Sequence, residues 1–265
     1  MNILMITPYF YPKRGGLENY AYNIAKNLVN SGCAVTVLCS DHNSTNNKNK
    51  KENIEIIDDI KVVRLWPNFI VSNTPVRMNL FSEIVKFIKK YDFDLINAHT
   101  PVPYFADIAS IASKICNKQF ILTYHNDIVK DTRLMNIIAQ IYNFTLNPIV
   151  LSLAKKIITP SPFCYNESRF LRIFKHKVVW IPPGVDIEKY STKKSIKLHD
   201  DYNLPHYSKI VLFVGAMNRG HTHKGVDYLI KAFKKVLEKL KDVYLVLVGG
   251  GDICLLYTSP SPRDR

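Results

Sequence analysis

The residues best suited to chemistry fall in four loops, each after a short apolar run. In the first, TPYFYPKRGGLEN, Gly15 and Gly16 let the backbone approach a ligand at a helix N-terminus, where free N–H groups and the dipole favour a phosphate. The same pair also suits a plain tight turn. It is not GxGxxG, which argues against a nicotinamide or flavin dinucleotide. The second and third loops, INAHTPVP and LTYHND, carry His99, His125 and Asp127. A histidine at a strand end can donate to a sugar hydroxyl or meet a developing charge; a lone one is more often structural. The fourth, GAMNRGHTHKGVDYLIKAF, crowds Arg219, His221, His223 and Lys224 before a helix containing Asp227. Lysine beside glycine at a helix start suits a diphosphate, because cation, N–H groups and dipole point the same way; the alternative is a solvated basic loop. None of these loops carries the paired carboxylates of a glycosidase.

These loops need strands to hold them. NILMI, CAVTVLCS, IEIID, IKVVRLW, DLINAH, QFILTYH and KIITPS read as strands. Between them, Leu17, Tyr20, Ile24 and Leu28 recur at helical spacing until Gly32. Met78–Tyr91 reads as an amphipathic helix, 103–116 as another, and 133–155 as a broken one; DHNSTNNKNKKEN reads as a polar loop. Strands alternating with helices, rich in Ile and Val, predict an α/β fold with a parallel, doubly wound sheet covered on both faces. Ligands of such sheets bind outside the carboxyl ends of the strands, where the four loops fall.

After KVVWIPPGVD the alternation lapses. Residues 191–208 read as a polar linker, and SKIVLFVGA, a helix over about 225–240 and VYLVLVGGG restart a strand–helix–strand unit at 209–252. A second domain of this kind takes roughly 100–150 residues. The expectation is therefore that the chain stops inside it and that 253–265, aperiodic with two Ser-Pro pairs, is a non-native tail.

The chain has 265 residues and a formal charge of +14. Lys and Arg number 22 against 13 Asp and Glu over residues 1–185, and 14 against 9 over 186–265, so the excess is spread rather than held in a tail. It favours anionic partners. The absence of an aromatic-and-glycine motif argues against nucleic acid. Five scattered cysteines without CxxC spacing predict neither a disulfide framework nor a zinc site. The N-terminus lacks a signal-peptide pattern, and the most apolar stretch, Ile137 to Leu153, is interrupted by Gln140, Asn143, Asn147 and Pro148, which argues against a membrane span. A cytoplasmic protein is expected. Lys86, Lys89 and Lys90, then Lys155 and Lys156, then Arg169, Arg172, Lys175 and Lys177 stand beside apolar residues, a pattern that suits either an anionic membrane surface or a solvated face.

In order, YPKRGGLENYAYNIAKNLVNSGCAVTVLCS, LINAH, ILTYHND, ITPSPF, IPPGVD and FVGAMNRGHTHKGVDYLIKAF resemble the retaining GT-B glycosyltransferases, and more narrowly glycosyltransferase family 4, over residues 1–252. The resemblance implies a GT-B architecture: an N-terminal, acceptor-side Rossmann-like domain at 1–190 and a partial nucleotide-sugar domain at 209–252. It implies sugar transfer with retention from a UDP- or GDP-sugar to a glycan or lipid-linked acceptor, with no metal or other cofactor. In that scheme Gly15 and Gly16 face the donor diphosphate and sugar, and Glu18 is the acidic residue of their loop. His125 orients the transferred sugar, Asp127 shares its acceptor-side loop, and Lys224 meets the diphosphate. Many members place arginine directly after the glycine of the first C-domain strand. Here Ala216 follows Gly215, which leaves that charge to Arg219 or a nearby histidine. The family's Glu-(seven residues)-Glu motif is absent, so this chain alone is expected to be inactive. The remaining alternative is a non-catalytic nucleotide-binding fragment or another GT-B or epimerase-like sugar-nucleotide protein.

Overall fold

A computed structural model describes residues 1–13, 15–41, 52–71, 74–128, 133–188, 197–218 and 224–252. Contacts divide the chain into two units, Met1–Val185 and Asp186–Arg265.

Among its described residues the first unit holds ten strands: β1 (Asn2–Ile6), β2 (Ala34–Ser40), β3 (Glu52–Ile57), β4 (Ile60–Leu65), β5 (Phe69–Val71), β6 (Thr74–Val76), β7 (Leu95–His99), β8 (Gln119–Thr123), β9 (Lys156–Thr159) and β10 (Val178–Trp180). The α-helices among the same residues are α1 (Gly16–Asn30), α2 (Leu80–Tyr91), α3 (Phe105–Ile115), α4 (Arg133–Leu153), α5 (Cys164–Glu167) and α6 (Arg169–Ile173), with a short 3-10 turn at Lys175–Lys177 before β10. Eight strands form one sheet in the order β10-β9-β8-β7-β1-β2-β4-β3. All its pairings are parallel except β3 with β4, which the turn at Ile57–Ile60 joins as a hairpin at the edge.

Strand periodicity sends alternate side chains to opposite faces. Leu4 and Ile6 of β1 enter a core built with α2, α3, α4 and α6, while Met5 between them enters a second core under α1. Both faces of the central strands are therefore apolar, which explains the unbroken Ile, Leu and Met of NILMI. The chain runs from β1 to β2 in one direction and from β7 through β8, β9 and β10 in the other. The order thus reverses between β1 and β7, the topological switch point at which such sheets open a crevice.

Four details differ from the sequence expectation. The helix over 133–153 is continuous, although Pro148 cannot donate to the Phe144 carbonyl one turn back; Val150 and Leu151 beyond it are buried in the core and hold the last turn. The edge strand β3 is antiparallel in a sheet expected to be parallel. A small hairpin, β5–β6, follows Trp66-Pro67, and α5 and α6 precede β10. The loop at 42–51, the residues 191–196 of the expected linker and the expected tail at 253–265 lie outside the described residues.

The second unit holds α7 (Lys197–Asp201), β11 (Lys209–Val214), α8 (Val226–Leu237) and β12 (Val243–Val248). β11 and β12 pair in parallel across α8, with Lys209 opposite Val243 and Val214 opposite Val248. It is the strand–helix–strand unit that the sequence predicts, and α7 falls within the stretch expected to be a linker. Each unit is thus α/β, with parallel strands joined through helices.

Candidate functional site

The loop after β1 and the start of α1 are held from beneath. Gly15 is the helix N-cap, its carbonyl accepting from the Asn19 amide at 3.0 Å. A Cβ built there would overlap the Glu18 carboxylate, the far end of a flexible side chain that would have to swing aside. Among the described residues, nothing beyond its chain neighbours and its own helix comes within 4 Å of a Cβ built on Gly16. Glu18 itself is buried, with 8 % of its surface exposed. The Lys13 ammonium sits 3.1 Å from the centre of the Tyr9 ring, where burial lowers its pKa against the opposing pull of Glu18. The buried Arg64 guanidinium anchors this loop to β4, donating to the Tyr11 carbonyl and, at 2.5 Å, to the Glu55 carboxylate.

Beside that loop the two sequence-predicted histidines meet. His99 ends β7 and is fully buried; His125 follows β8, and His99 Nδ1 lies 3.3 Å from His125 Nε2. The register makes this contact: His99 pairs with Thr123, two residues before His125. Burial lowers the pKa of His99 to about 3, with repulsion from His125 adding to it, and burial lowers that of His125 to about 4. Both rings are therefore neutral at physiological pH. His99 Nε2 is buried and has no hydrogen-bond partner among the described residues. An orphaned lone pair there costs less than an orphaned N–H, which favours the tautomer in which His99 Nδ1–H donates to His125 Nε2. His125 then keeps Nδ1–H as its donor.

Tyr20 of α1 closes the group, its ring edge-to-face against His125 at 4.9 Å and against His99 at 6.1 Å. In the sequence Tyr20 reads only as one apolar position of a helical stripe. Its signal was its place four residues after Gly16, one turn into the helix that opens at the glycine loop.

The loop carrying His125 and Asp127 is fastened at both ends by α4. Asn143 Nδ2 donates to the Ile128 carbonyl at 3.0 Å, and Asn147 Nδ2 donates to the Tyr124 hydroxyl at 3.4 Å. That hydroxyl donates in turn to the Asp127 carboxylate at 2.5 Å. Burial first, and then Asp127, raise the Tyr124 pKa, so the phenol stays protonated and Asp127 serves as its acceptor.

In the second unit, the Lys224 ammonium would stand 3.4 Å from a Cβ built on Gly215, the residue after β11. It is held over the carboxyl end of that strand, one residue before the N-cap Gly225 of α8, whose φ of +70° suits glycine. Arg219, His221 and His223 lie outside the described residues. The first unit thus brings Gly15, Gly16, Glu18, His99, His125 and Asp127 to the carboxyl ends of β1, β7 and β8, and Lys224 belongs to the second.

A separate apolar groove of about 320 Å³ runs beside α1 across β1, β7, β8 and β9, lined by Ile3, Leu95, Ile121 and Ile158 among others. None of the described sequence-predicted site residues lines it; Tyr20, Asn97 and Thr123 do. Asn97 Nδ2 donates to the Thr123 hydroxyl at 3.0 Å, tying β7 to β8 just before the histidines.

Residues 14–189 match the family profile "Glycosyltransferase Family 4", and residues 208–257 match "Glycosyl transferases group 1". The O-antigen chain mannosyltransferase C of Escherichia coli is 27 % identical over 259 residues, covering 96 % of this chain and 62 % of that protein. The phosphatidyl-myo-inositol mannosyltransferase of Mycobacterium tuberculosis is 24 % identical over 255 residues, covering 95 % and 61 %. The chain thus spans about three fifths of the length of these relatives. Among solved structures, sucrose-phosphate synthase from Thermosynechococcus elongatus aligns over 93 % of this chain and 70 % of its own, with a TM-score of 0.55 at 16 % identity. Anabaena HepE in complex with UDP aligns over 94 % and 69 %, with a TM-score of 0.55 at 18 % identity. These likenesses establish the fold. With its first profile covering more than half of the sequence, the chain belongs to glycosyltransferase family 4.

Proposed function

We propose that this chain is part of a retaining glycosyltransferase that moves a sugar from a UDP- or GDP-sugar to a glycan or lipid-linked acceptor on the cytoplasmic side of a membrane. The observation that carries this reading is the neutral histidine pair beside the glycine loop at the switch point. Transfer breaks the bond between the sugar's anomeric carbon and the leaving phosphate oxygen and forms one from the same face to an acceptor oxygen. Positive charge grows on the sugar and negative charge on the diphosphate. The acceptor's proton passes to the leaving phosphate. A neutral His125 can hold a sugar hydroxyl through Nδ1–H without adding a cation beside the developing positive charge. Within the second unit, Lys224 and the start of α8 suit a diphosphate; within the first, the amides opening α1 at Gly16 suit a phosphate. The mannosyltransferase relatives and the UDP named with HepE support a nucleotide-sugar donor.

The test uses the longest reading frame that contains these residues, assayed against a panel of nucleotide-sugars with the anomeric configuration of the product read by NMR. Retention is expected, and an inverted product overturns the mechanism. Lys224→Ala should weaken donor use by about 2–4 kcal/mol of transition-state stabilisation. His125→Ala should lower turnover more than donor affinity; unchanged kinetics would remove that residue from the site. The 265-residue chain alone should transfer no sugar.

A further inference from the structure

α4 is apolar on its outer side as well as its inner one. The side packed on the domain carries Ala139, Asn143, Asn147, Val150 and Leu151, and the two asparagines fasten the loop of His125. The side turned to solvent carries Leu134, Ile137, Ile138 and Ile141, at the i, i+3, i+4, i+7 spacing of one stripe, continued by Phe144 and Ile149. Each of these six is between 47 % and 68 % exposed. A soluble surface helix carries polar residues on its outer side, and a contiguous apolar stripe of this length marks an interaction surface.

We propose that this outer face of α4 docks the protein on an anionic lipid bilayer. The helix, at 21 residues, is long and apolar enough to cross a membrane. Its other side, however, is fixed in the core through Val150 and Leu151 and through the two asparagine bonds, so it lies along a surface rather than across it. The charge around it selects the surface. From Arg133 to Lys177 the sequence has seven Lys and Arg and one acid, Glu167, and α4 itself has no acid. The Arg169 guanidinium stacks 4.2 Å from the centre of the Phe144 ring and 5.1 Å from that of Phe170, at the border of the stripe. An arginine laid over aromatic rings at such a border can keep its head at the phosphate level while its stem and the rings sit among acyl chains. A second copy of the chain is a poorer occupant, because two such faces would bring like charges together.

The 265-residue chain is tested by co-sedimentation with vesicles of phosphatidylcholine alone and of phosphatidylcholine containing about a third phosphatidylglycerol, at low and high salt. Binding should need the anionic lipid and fade with salt. Ile137→Glu combined with Ile141→Glu changes side chains that are more than half exposed, and should weaken binding at least about tenfold with an unchanged circular dichroism spectrum. Lys155→Glu combined with Lys156→Glu should weaken it in the same direction. Should the glutamate pair fail to fold, Phe144→Trp keeps the apolar stripe and reports the same contact. Quenching of its fluorescence by brominated acyl chains is expected with anionic vesicles only. Equal behaviour towards both vesicle types overturns the proposal, as does unchanged binding by the folded glutamate variant. It is likewise overturned by a dimer, seen by light scattering, that ignores vesicles and dissolves with the same substitutions. Because the assay reads lipid binding and not turnover, its failure leaves the reading as a glycosyltransferase untouched.

Discussion

β8 and β11 are near twins in sequence, QFILT and KIVLFV, yet Leu122 of β8 is fully buried while Leu212 of β11 is 56 % exposed. The difference is made by neighbours. β8 has a strand on each side and a core of helices over one face, whereas among the described residues β11 pairs only with β12. Strand type is set locally by branched and aromatic residues; the energy of a strand is set by what covers it.

The strongest test of that contrast is one substitution made twice. Leu122→Ala should destabilise the first unit by about 2–5 kcal/mol, because it opens a cavity in a packed core. Leu212→Ala should cost under about 1 kcal/mol, since little apolar surface is lost from cover. Urea unfolding followed by amide exchange in each unit separates the two, and equal costs would erase the distinction.

Acid should discriminate next. Burial depresses the pKa values of His99 and His125 in the folded first unit, so the unfolded chain binds more protons between about pH 4 and the ordinary histidine value near 6.5. Stability should therefore be fully present above that value and fall as the pH drops through it, by on the order of a few kcal/mol by pH 4. His99→Gln should flatten the slope of urea midpoint against pH; an unaltered slope would mean that these rings are not buried in neutral form.

Asn147→Ala should cost about 0.5–1.5 kcal/mol by removing one hydrogen bond to the Tyr124 hydroxyl, which keeps Asp127 as its acceptor, and should speed amide exchange in the loop of His125 before it affects β11. The smallest change is expected on the outer face of α4: Ile141→Glu should move stability by no more than about 0.5 kcal/mol. A large loss there would show the face to be covered.

What could be read from the sequence followed from periodicity and from strand ends. The stripe Leu17, Tyr20, Ile24, Leu28 located α1, and the apolar runs located the central strands, because burial on both faces leaves no room for polar residues. His99 and His125 were identifiable as candidates by position alone. Their contact depends on the register of β7 against β8, which no local pattern encodes. Asn143, Asn147 and Pro148 suggested a broken helix because their types usually face water or end helices. Here the asparagines are buried as anchors and the proline is carried by the turns around it. The antiparallel β3 and the β5–β6 hairpin rest on edge pairings that alternation of strands and helices does not determine.

The two asparagine bonds from α4 have a mechanical consequence. They are one helical turn apart and end at residues 124 and 128, so they grip the His125 loop at two points rather than one. A single tether would leave one end of the loop unattached to the helix; with two, a displacement of α4 meets the loop on both sides of His125.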